Sequence, residues 1–327
     1  MCEEKLLTKT TLLNLVTKST LINLIVIFET LIADLIHVIS ENYPKAINLE
    51  NYSLNFNELQ EISKIEEARK YLVSKLIDNL LHEAHEEIFK FLEKVTGIKM
   101  DFYSRNKEIF TEINSRRNIF VHNRGIVNSD YISKVSERLI EKYKIKKGQA
   151  AETNKNYILD SISFIEALGI YLVSKIWKHF EPDDKEKSTF LLNDIVYKSL
   201  LNKHYYVSEQ IAEFIMFDNS SSEEIRDMAK LNYWLSLKRT GRFEQVKENI
   251  LKCDFSSKKL TLKLGLSALK EDKNEFCKIL KEVLEKKEIT IKDYNEWPIL
   301  EEMRSLKLCQ NIIKKEQESK KGEKKAF

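Results

Sequence analysis

Hydrophobic side chains recur every three or four residues along most of the chain, which is the spacing of one face of an α-helix. The first stripe has seven members, and three isoleucines widen it: Leu21, Leu24, Phe28, Leu31, Ile32, Leu35 and Ile39, with Ile25, Ile27 and Ile36. The remaining polar face is narrow. We therefore expect this helix to be buried on more than one side, by its own core and by a second subunit.

The same segment is apolar enough to raise the question of a membrane span. Its longest unbroken apolar run covers only residues 24–28, and Glu29 and Asp34 interrupt the apolar residues after that run. A spanning helix needs roughly 20 mostly apolar residues, and an acid near its centre is costly. The small-residue cleavage site of a signal peptide is also missing. We therefore expect a packing helix in a cytoplasmic protein that has no membrane contact.

Four further stripes predict helices over about residues 65–95, 104–123, from Ser129 onward, and 157–180. Gly97 and Gly125 follow the first two and are candidate C-terminal caps, and Ser129 is a candidate N-cap. The polar segment 41–60 and the basic segment 144–156 are predicted loops. These five helices are expected to form a bundle over residues 1–182.

The charged segment 181–187, which contains Pro182, predicts a domain boundary. Residues 183–313 then hold shorter helices. Within them, Trp234, Gly241 and Phe243 are spaced as in one tetratricopeptide-type hairpin, which the segment loosely resembles, and Phe276 follows Phe243 at close to the period of that repeat. We expect a small tetratricopeptide-like α-helical hairpin domain whose aromatic residues form its core, a peptide groove being the alternative.

Composition supports an all-α fold. The 327 residues include only seven glycines and three prolines, too few for the many turns of a β sandwich or barrel. The four cysteines show no C-x-x-C spacing, so free thiols are expected, with no zinc site and no cofactor. His82 and His85 are three apart, whereas a zincin helix needs four, so a solvated helix face is expected for this pair.

The formal charge of +3 comes from 54 basic and 51 acidic residues. Residues 314–327 contain six lysines and three glutamates without apolar periodicity, which predicts a flexible tail. That tail carries the whole excess of charge. The body is therefore balanced, and its bulk charge gives no indication of a nucleic-acid partner.

One helix departs from this balance. Five basic and two acidic residues lie between Ser104 and Arg124, concentrated in the sequence Arg-Arg-Asn-Ile-Phe-Val-His-Asn-Arg-Gly over residues 116–125. Arginine presents a fork of donors that suits phosphate, and histidine exchanges protons near neutral pH. Asn118 and His122 are four apart and share a helix face, whereas Arg117 and His122 are about 140° apart. Loosening near Gly125 or a second subunit would be needed to complete a site.

A structural role is the alternative for part of this cluster. Glu112 lies four residues before Arg116, so these two residues can form an intrahelical ion pair. Arg117 has Ile113 and Asn114 at the corresponding positions and therefore no such partner. A histidine near a helix C-terminus, as His122 is, is also favoured by the helix dipole.

The pattern of Arg117, Asn118 and, after three further residues, His122 resembles the motif of the HEPN superfamily. The position of the motif late in the third helix of a bundle and the turn over residues 123–128 are similar to that family as well, over residues 10–180. The resemblance implies a homodimer whose two motifs form one metal-independent RNA-cleaving site. It makes Arg117, Asn118 and His122 the catalytic candidates. It would place Arg116, Asn123 and Arg124 on the RNA backbone.

The resemblance also implies a toxin or a defence or stress effector, with an antitoxin or a sensor protein bound through the C-terminal domain. In HEPN toxins that are silenced by a nucleotidyltransferase, a tyrosine stands two places after the histidine, and Arg124 occupies that place here. The alternative function is a non-catalytic all-α module that binds RNA, a nucleotide or a protein.

Overall fold

The computed structural model describes the backbone of residues 2–323 and the side chains of residues 12–318. The fold is all-α, as predicted: helices make up 77% of it, and the described residues form no β strand. An antiparallel bridge joins Ile126 to Ala150. The chain divides into two compact units, Met1–Phe180 and Glu181–Phe327, whereas the predicted boundary followed Pro182.

The first unit contains eight α-helices within its described residues: α1 Cys2–Asn42, α2 Phe56–Gln60, α3 Ile65–His82, α4 His85–Thr96, α5 Asp101–His122, α6 Ser129–Lys134, α7 Glu137–Lys142 and α8 Lys155–Phe180. Helix α1 packs against α3, α5 and α8. The predicted loop over residues 41–60 contains helix α2 and a short 3₁₀ turn, Pro44–Ala46.

The buried stripe of α1 differs in phase from the predicted one. Its fully buried members are Leu21, Ile25, Phe28, Ile32, Ile36 and Ile39. Leu24, Leu31 and Leu35 are only partly buried, and Ile27 is exposed. Ile25 and Ile36, which the sequence pattern placed at the margin, are fully buried in a helix that packs against α3, α5 and α8.

The predicted helix over residues 65–95 is two helices. Glu83 and Ala84 adopt extended backbone between α3 and α4. Gly97 ends α4 in the left-handed conformation and its N–H donates to the carbonyl of Glu93 at 2.7 Å, so the predicted cap is confirmed. Helix α6 begins at Ser129, but its N-cap is Asn128, whose side chain accepts from the Tyr131 N–H.

The second unit also has eight helices in its described part: α9 Lys185–Leu201, α10 Tyr205–Met216, α11 Glu223–Arg239, α12 Lys247–Lys252, α13 Leu260–Leu269, α14 Lys273–Glu285, α15 Ile291–Glu296 and α16 Lys307–Glu323. Helix α10 packs on α9 and α11, and α13 packs on α11 and α14. Trp234 and Phe276 are buried, as expected for core aromatics, while Phe243 is half-buried.

The C-terminal segment differs from its prediction. Helix α16 extends to Glu323, so residues 314–323 of the predicted flexible tail are helical. The last four residues of that tail, 324–327, lie outside the described residues. Cys253, Cys277 and Cys309 are free thiols, and the side chain of Cys2 is not among those described.

Two helices are long and apolar enough to cross a membrane by length and composition, over Leu12–Asn42 and Lys155–Phe180. Core helices of soluble proteins pass the same test. Most of the apolar window in α8 is buried inside the protein, whereas little more than a quarter of the window in α1 is buried. Helix α1 therefore has an apolar face that its own unit does not cover.

Candidate functional site

Arg116 lies in the interior of the first unit and not on its surface. Only 2% of its side chain is exposed, and its Nε donates to Glu112 Oε1 at 2.7 Å. Its guanidinium also donates to the carbonyl of Glu152 and stacks over the ring of Tyr157 at 4.2 Å. The expectation that Arg116 binds a flanking phosphate is therefore wrong for this structure, and the intrahelical pair with Glu112 forms instead.

Two tyrosines complete the partners of the buried carboxylate. Tyr131 on α6 donates to Glu112 Oε1 at 2.6 Å, and Tyr157 on α8 donates to Oε2 at 2.8 Å. Burial, followed by the negative charge of Glu112, raises the pKa of Tyr157 well above its usual value. Burial and then the charge of Glu112 also raise the pKa of Tyr131, so both hydroxyls stay protonated and keep donating. This four-residue cluster, Glu112–Arg116–Tyr131–Tyr157, joins α5 to α6 and α8 beneath the motif.

Arg117 lies one position further along α5 and points in a different direction. Its guanidinium forms an ion pair with Glu29 of α1, and 18% of its side chain is exposed. Its Nε is buried without a hydrogen-bond partner. Glu29 therefore fixes the guanidinium at the boundary between the core and the surface and leaves one donor of Arg117 unused.

A second histidine lies beside Arg117. The ring of His85, at the start of α4, is 5.5 Å from the ring of Phe110 and is partly buried. Burial first and the charge of Arg117 second lower the pKa of His85 to about 4, against an opposing interaction with Asn114. His85 is therefore neutral at pH 7. The solvated helix face expected for this histidine is wrong, whereas His82 is indeed exposed.

Asn114 belongs to the same neighbourhood. Its side chain is 5% exposed, and its Nδ2 donates to the carbonyl of Phe110 at 2.9 Å, which leaves Oδ1 buried without a partner. Glu29 and His85 each interact with Arg117, and His85 interacts with Asn114; these four polar residues are here called the Arg117 cluster. Sequence reasoning found only Arg117 of these four, because Glu29 and His85 come from other helices.

The remaining motif residues lie at the C-terminal end of α5. Asn118, His122 and Arg124 are exposed, and no hydrogen bond or ion pair engages their side chains in the part of the chain that the structure describes. Asn123 is different, because its Nδ2 donates to the carbonyl of Ile126 at 2.6 Å. The Asn123 side chain therefore closes the turn, and this bond competes with the substrate contact predicted for it.

The turn itself depends on Gly125. Its φ of +81° is in the left-handed region, and its N–H donates to the carbonyl of Ile119 at 2.8 Å. A Cβ at this position would approach the Phe120 ring at 3.0 Å. Lys18 of α1 covers the same ring, with its Nζ 5.3 Å from the ring centroid. The helix therefore ends sharply, with His122 as its last residue and a lysine of α1 close to the turn.

The structure thus separates the six predicted site residues into two groups. Arg117, Asn118, His122 and Arg124 have side chains that reach the surface, whereas Arg116 is internal and Asn123 is bonded within the turn. Five positions of regular helix separate Arg117 from His122, so one copy of α5 does not place both on one face.

Comparison with protein-family models, curated proteins and solved structures finds no match to this chain. Among the described residues, no group of three or more histidine, cysteine, aspartate or glutamate side chains is placed to hold a metal ion.

The neutral His85 predicts a specific loss of stability in acid. Its pKa in the folded protein, about 4, is below the ordinary 6.5 of the unfolded chain, so the unfolded state binds the proton first as pH falls. The contribution of neutral His85 to the free energy of unfolding is therefore complete above pH 6.5 and is lost as the pH falls from 6.5 to 4. Urea unfolding measures the free energy of unfolding at pH 7 and at pH 4.5. Between these two pH values the wild type should lose about 2 kcal/mol more of this free energy than His85→Gln does.

The control is the same change at the exposed histidine, His82→Gln, which should follow the wild type at both pH values. An identical loss in the wild type and in His85→Gln would mean that His85 titrates normally in the folded state.

Proposed function

We propose that the chain is a metal-independent endoribonuclease of HEPN type, acting as a homodimer. The observation that carries the proposal is the arrangement at the end of α5. His122 is exposed and free of side-chain partners in the described structure, and Arg117 on the same helix is held at the surface by Glu29. A proton-transfer group and an anion-binding group are the two elements that metal-free cleavage of a phosphodiester requires.

The reaction forms one bond and breaks one bond at the same phosphorus. The ribose 2′-oxygen attacks the adjacent phosphorus and loses its proton to a neutral histidine, while the bond to the 5′-oxygen breaks. That oxygen takes a proton from a histidinium, so the products are a 2′,3′-cyclic phosphate and a 5′-hydroxyl. His122 is the proton-transfer group. Arg117 stabilises the charge on the phosphoryl oxygens. Asn118, which shares a helix face with His122, donates to phosphate or orients the histidine.

Glu29 and His85 act through Arg117 and are positioning residues. Glu29 limits the directions that the guanidinium can take. His85 is neutral at pH 7, so it adds no repelling charge next to Arg117. An arginine that is fixed before the substrate arrives loses less side-chain entropy on binding a phosphate. Arg124, exposed two residues after His122, is suited to a flanking backbone phosphate.

One copy of the chain offers one exposed histidine at this helix end, whereas the reaction uses a base and an acid. Two copies related by a two-fold axis supply both, and they also bring Arg117 of one copy towards His122 of the other. The apolar face of α1 provides a surface for this contact: Leu12, Leu15, Val16, Val26, Ile27 and Val38 are exposed on it. Glu29 lies on the same helix, so this face borders the Arg117 cluster.

A charge on the apolar face of α1 should break the dimer. Ile27 is 66% exposed in one copy, and a glutamate buried there in a dimer would have no partner. We expect a mass of twice 38.6 kDa for the wild type by light scattering at micromolar concentration. Ile27→Glu should weaken the dimer at least about 100-fold, to a monomeric mass.

Phe217→Glu, the same change at an exposed apolar residue of the second unit, is the control and should remain dimeric. A wild type that is monomeric, or that stays in solution only with detergent or lipid, contradicts dimerisation through α1. The second of these results would assign the apolar face to a membrane.

Cleavage is tested directly with a labelled RNA in the presence of EDTA. The wild type should cut the RNA, and the His122→Ala protein should cut it far more slowly. A wild-type protein that is folded and dimeric but does not cut RNA, including after addition of cell extract from stressed or infected cells, contradicts the proposal.

One observation favours a second candidate function, a non-catalytic module that binds RNA or a nucleotide. The ion pair with Glu29 offsets the charge of Arg117, which weakens its stabilisation of the transition-state charge and so favours binding without cleavage. In that case the protein would bind RNA with steep salt dependence and leave it intact.

For the second unit we propose a tetratricopeptide-like hairpin domain that contacts an antitoxin or a sensor protein, in a cytoplasmic toxin or defence system. The packed pairs α10–α11 and α13–α14 support a hairpin organisation. Pull-down of the tagged full chain before and after phage infection would identify such a partner.

A further inference from the structure

The second unit contains a cavity of about 330 Å³ that the nuclease proposal does not use. It lies among α9, α11 and the segment around α15, and its lining includes Phe190, Asn193, Asp194, Tyr197, Asn232 and Trp297. A volume of this size accommodates a small metabolite. The polar groups of the lining include the acceptor oxygens of two carboxylates and two amides.

Two of these acceptors are buried without partners. Asn232 is 2% exposed, and its Oδ1 has no hydrogen bond. Asn193 Oδ1, which belongs to the facing helix α9, is likewise unpartnered. An unpaired buried amide oxygen destabilises the fold, so these two oxygens leave acceptor capacity that a donor bound in the cavity would satisfy.

Two carboxylates add negative charge to the same cavity. Asp194 Oδ2 pairs with Lys198 Nζ at 2.6 Å, and Asp293 Oδ2 accepts from the N–H and the hydroxyl of Thr290, each at 2.7 Å. One oxygen of each aspartate is therefore engaged, and the other is available. The pKa of Tyr197, which also lines the cavity, is raised by burial first and then by the negative charges of Glu296 and Asp293. The positive charge of Arg304 opposes this increase.

Aromatic rings supply the remaining walls. Phe190, which is 65% exposed, and Trp297, which is buried, both line the cavity. Aromatic faces next to carboxylates favour an organic cation, since the ring quadrupole and the charges attract it together. Lys198 offsets the charge of Asp194, so the carboxylate of Asp293 is the main group that repels an anion.

We propose that this cavity binds a small organic cation that carries a guanidinium or an amine group with several N–H donors. The donors pair with Asn193, Asn232 and the available oxygens of Asp194 and Asp293, and the carbon atoms of the ligand lie against Phe190 and Trp297. The site belongs to the second unit alone and does not depend on the nuclease proposal.

Agmatine, which has a guanidinium and an amine, is the probe for a free cation. Titration calorimetry and thermal unfolding of the full chain should show binding of agmatine and an increase in Tm, and an uncharged urea analogue of the same length should produce neither. A short peptide with an arginine at its end is the second probe. Tighter binding of the peptide would assign the site to a protein side chain, and tighter binding of agmatine to a metabolite.

Two variants separate a ligand site from an incidental cavity. Asn232→Leu removes the unpartnered amide, so it should raise the Tm of the free protein and weaken agmatine about tenfold or more. Asp194→Asn should weaken agmatine about tenfold and leave the Tm of the free protein close to wild type. The controls, Asn249→Leu and Glu248→Gln on exposed positions of α12, should bind as the wild type does.

Failure of the wild type to bind both probes overturns the proposal. So does equal binding of the uncharged analogue, or binding that Asn232→Leu and Asp194→Asn both leave unchanged.

Discussion

Replacing His122 with alanine is expected to slow RNA cleavage about 10²- to 10⁴-fold, the usual contribution of a positioned acid or base. The side chain is exposed and has no partner among the described residues, so its removal takes away a proton-transfer group and little else. Single-turnover cleavage of a labelled RNA, measured at saturating protein, gives the rate. Thermal unfolding should show a Tm close to that of the wild type.

The matched control is His82→Ala, which removes an exposed histidine from the last residue of α3. It should cut RNA at the wild-type rate. Arg117→Lys should fall between the wild type and His122→Ala, because lysine keeps the charge and loses the fork of donors. A His122→Ala protein with wild-type activity would exclude this histidine from the reaction.

Replacing Arg116 with alanine is expected to lower the free energy of unfolding by about 3–5 kcal/mol. The change leaves the carboxylate of Glu112, which is 1% exposed, in the core with only the two tyrosine hydroxyls as donors. It also removes the bond to the Glu152 carbonyl and the contact with the Tyr157 ring. Urea unfolding monitored by circular dichroism measures the loss.

Arg138→Ala is the control, because Arg138 forms an exposed pair with Glu108 at 3.2 Å. An exposed ion pair contributes little, so a change within about 0.5 kcal/mol is expected there. A second variant, Arg116→Ala with Glu112→Leu, removes both charges and should recover part of the stability. A loss below about 1 kcal/mol in the single variant would mean that Arg116 is not buried as described.

The helices were predictable because their signals are local. The three- and four-residue spacing indicated α1, α5 and α8 to within a few residues at most ends, and Gly97 ended its helix as expected. The interruption at Glu83 and Ala84 was missed, since the apolar spacing continues across it. The helix over residues 314–323 was missed because its apolar spacing is weak and its residues are mainly charged.

The roles of the two adjacent arginines were not predictable from spacing alone. Successive helical residues point about 100° apart, so one arginine of the pair enters the core while the other does not. The partners that decide the outcome are distant in sequence: Tyr131 and Tyr157 for Arg116, and Glu29 for Arg117. Glu112, four residues before Arg116, was the single visible signal of a structural role for that arginine, but the sequence prediction still placed Arg116 on the RNA backbone.

His85 was missed for the same reason. Its sequence neighbours are polar and charged, which indicated a solvated surface, but the packing of α4 on the aromatic core brings its ring against Phe110 and close to Arg117. Contacts between helices decide this position, and no local pattern contains them.

The central claim is that the Arg117 and His122 motif cuts RNA without a metal ion, and the chemistry of the product ends tests it most directly. Wild-type protein is incubated with RNA in EDTA and the products are analysed by mass spectrometry. We predict 2′,3′-cyclic phosphate and 5′-hydroxyl ends that disappear with His122→Ala and persist with His82→Ala. Products with a 5′-phosphate, or cleavage that EDTA abolishes, would contradict the claim.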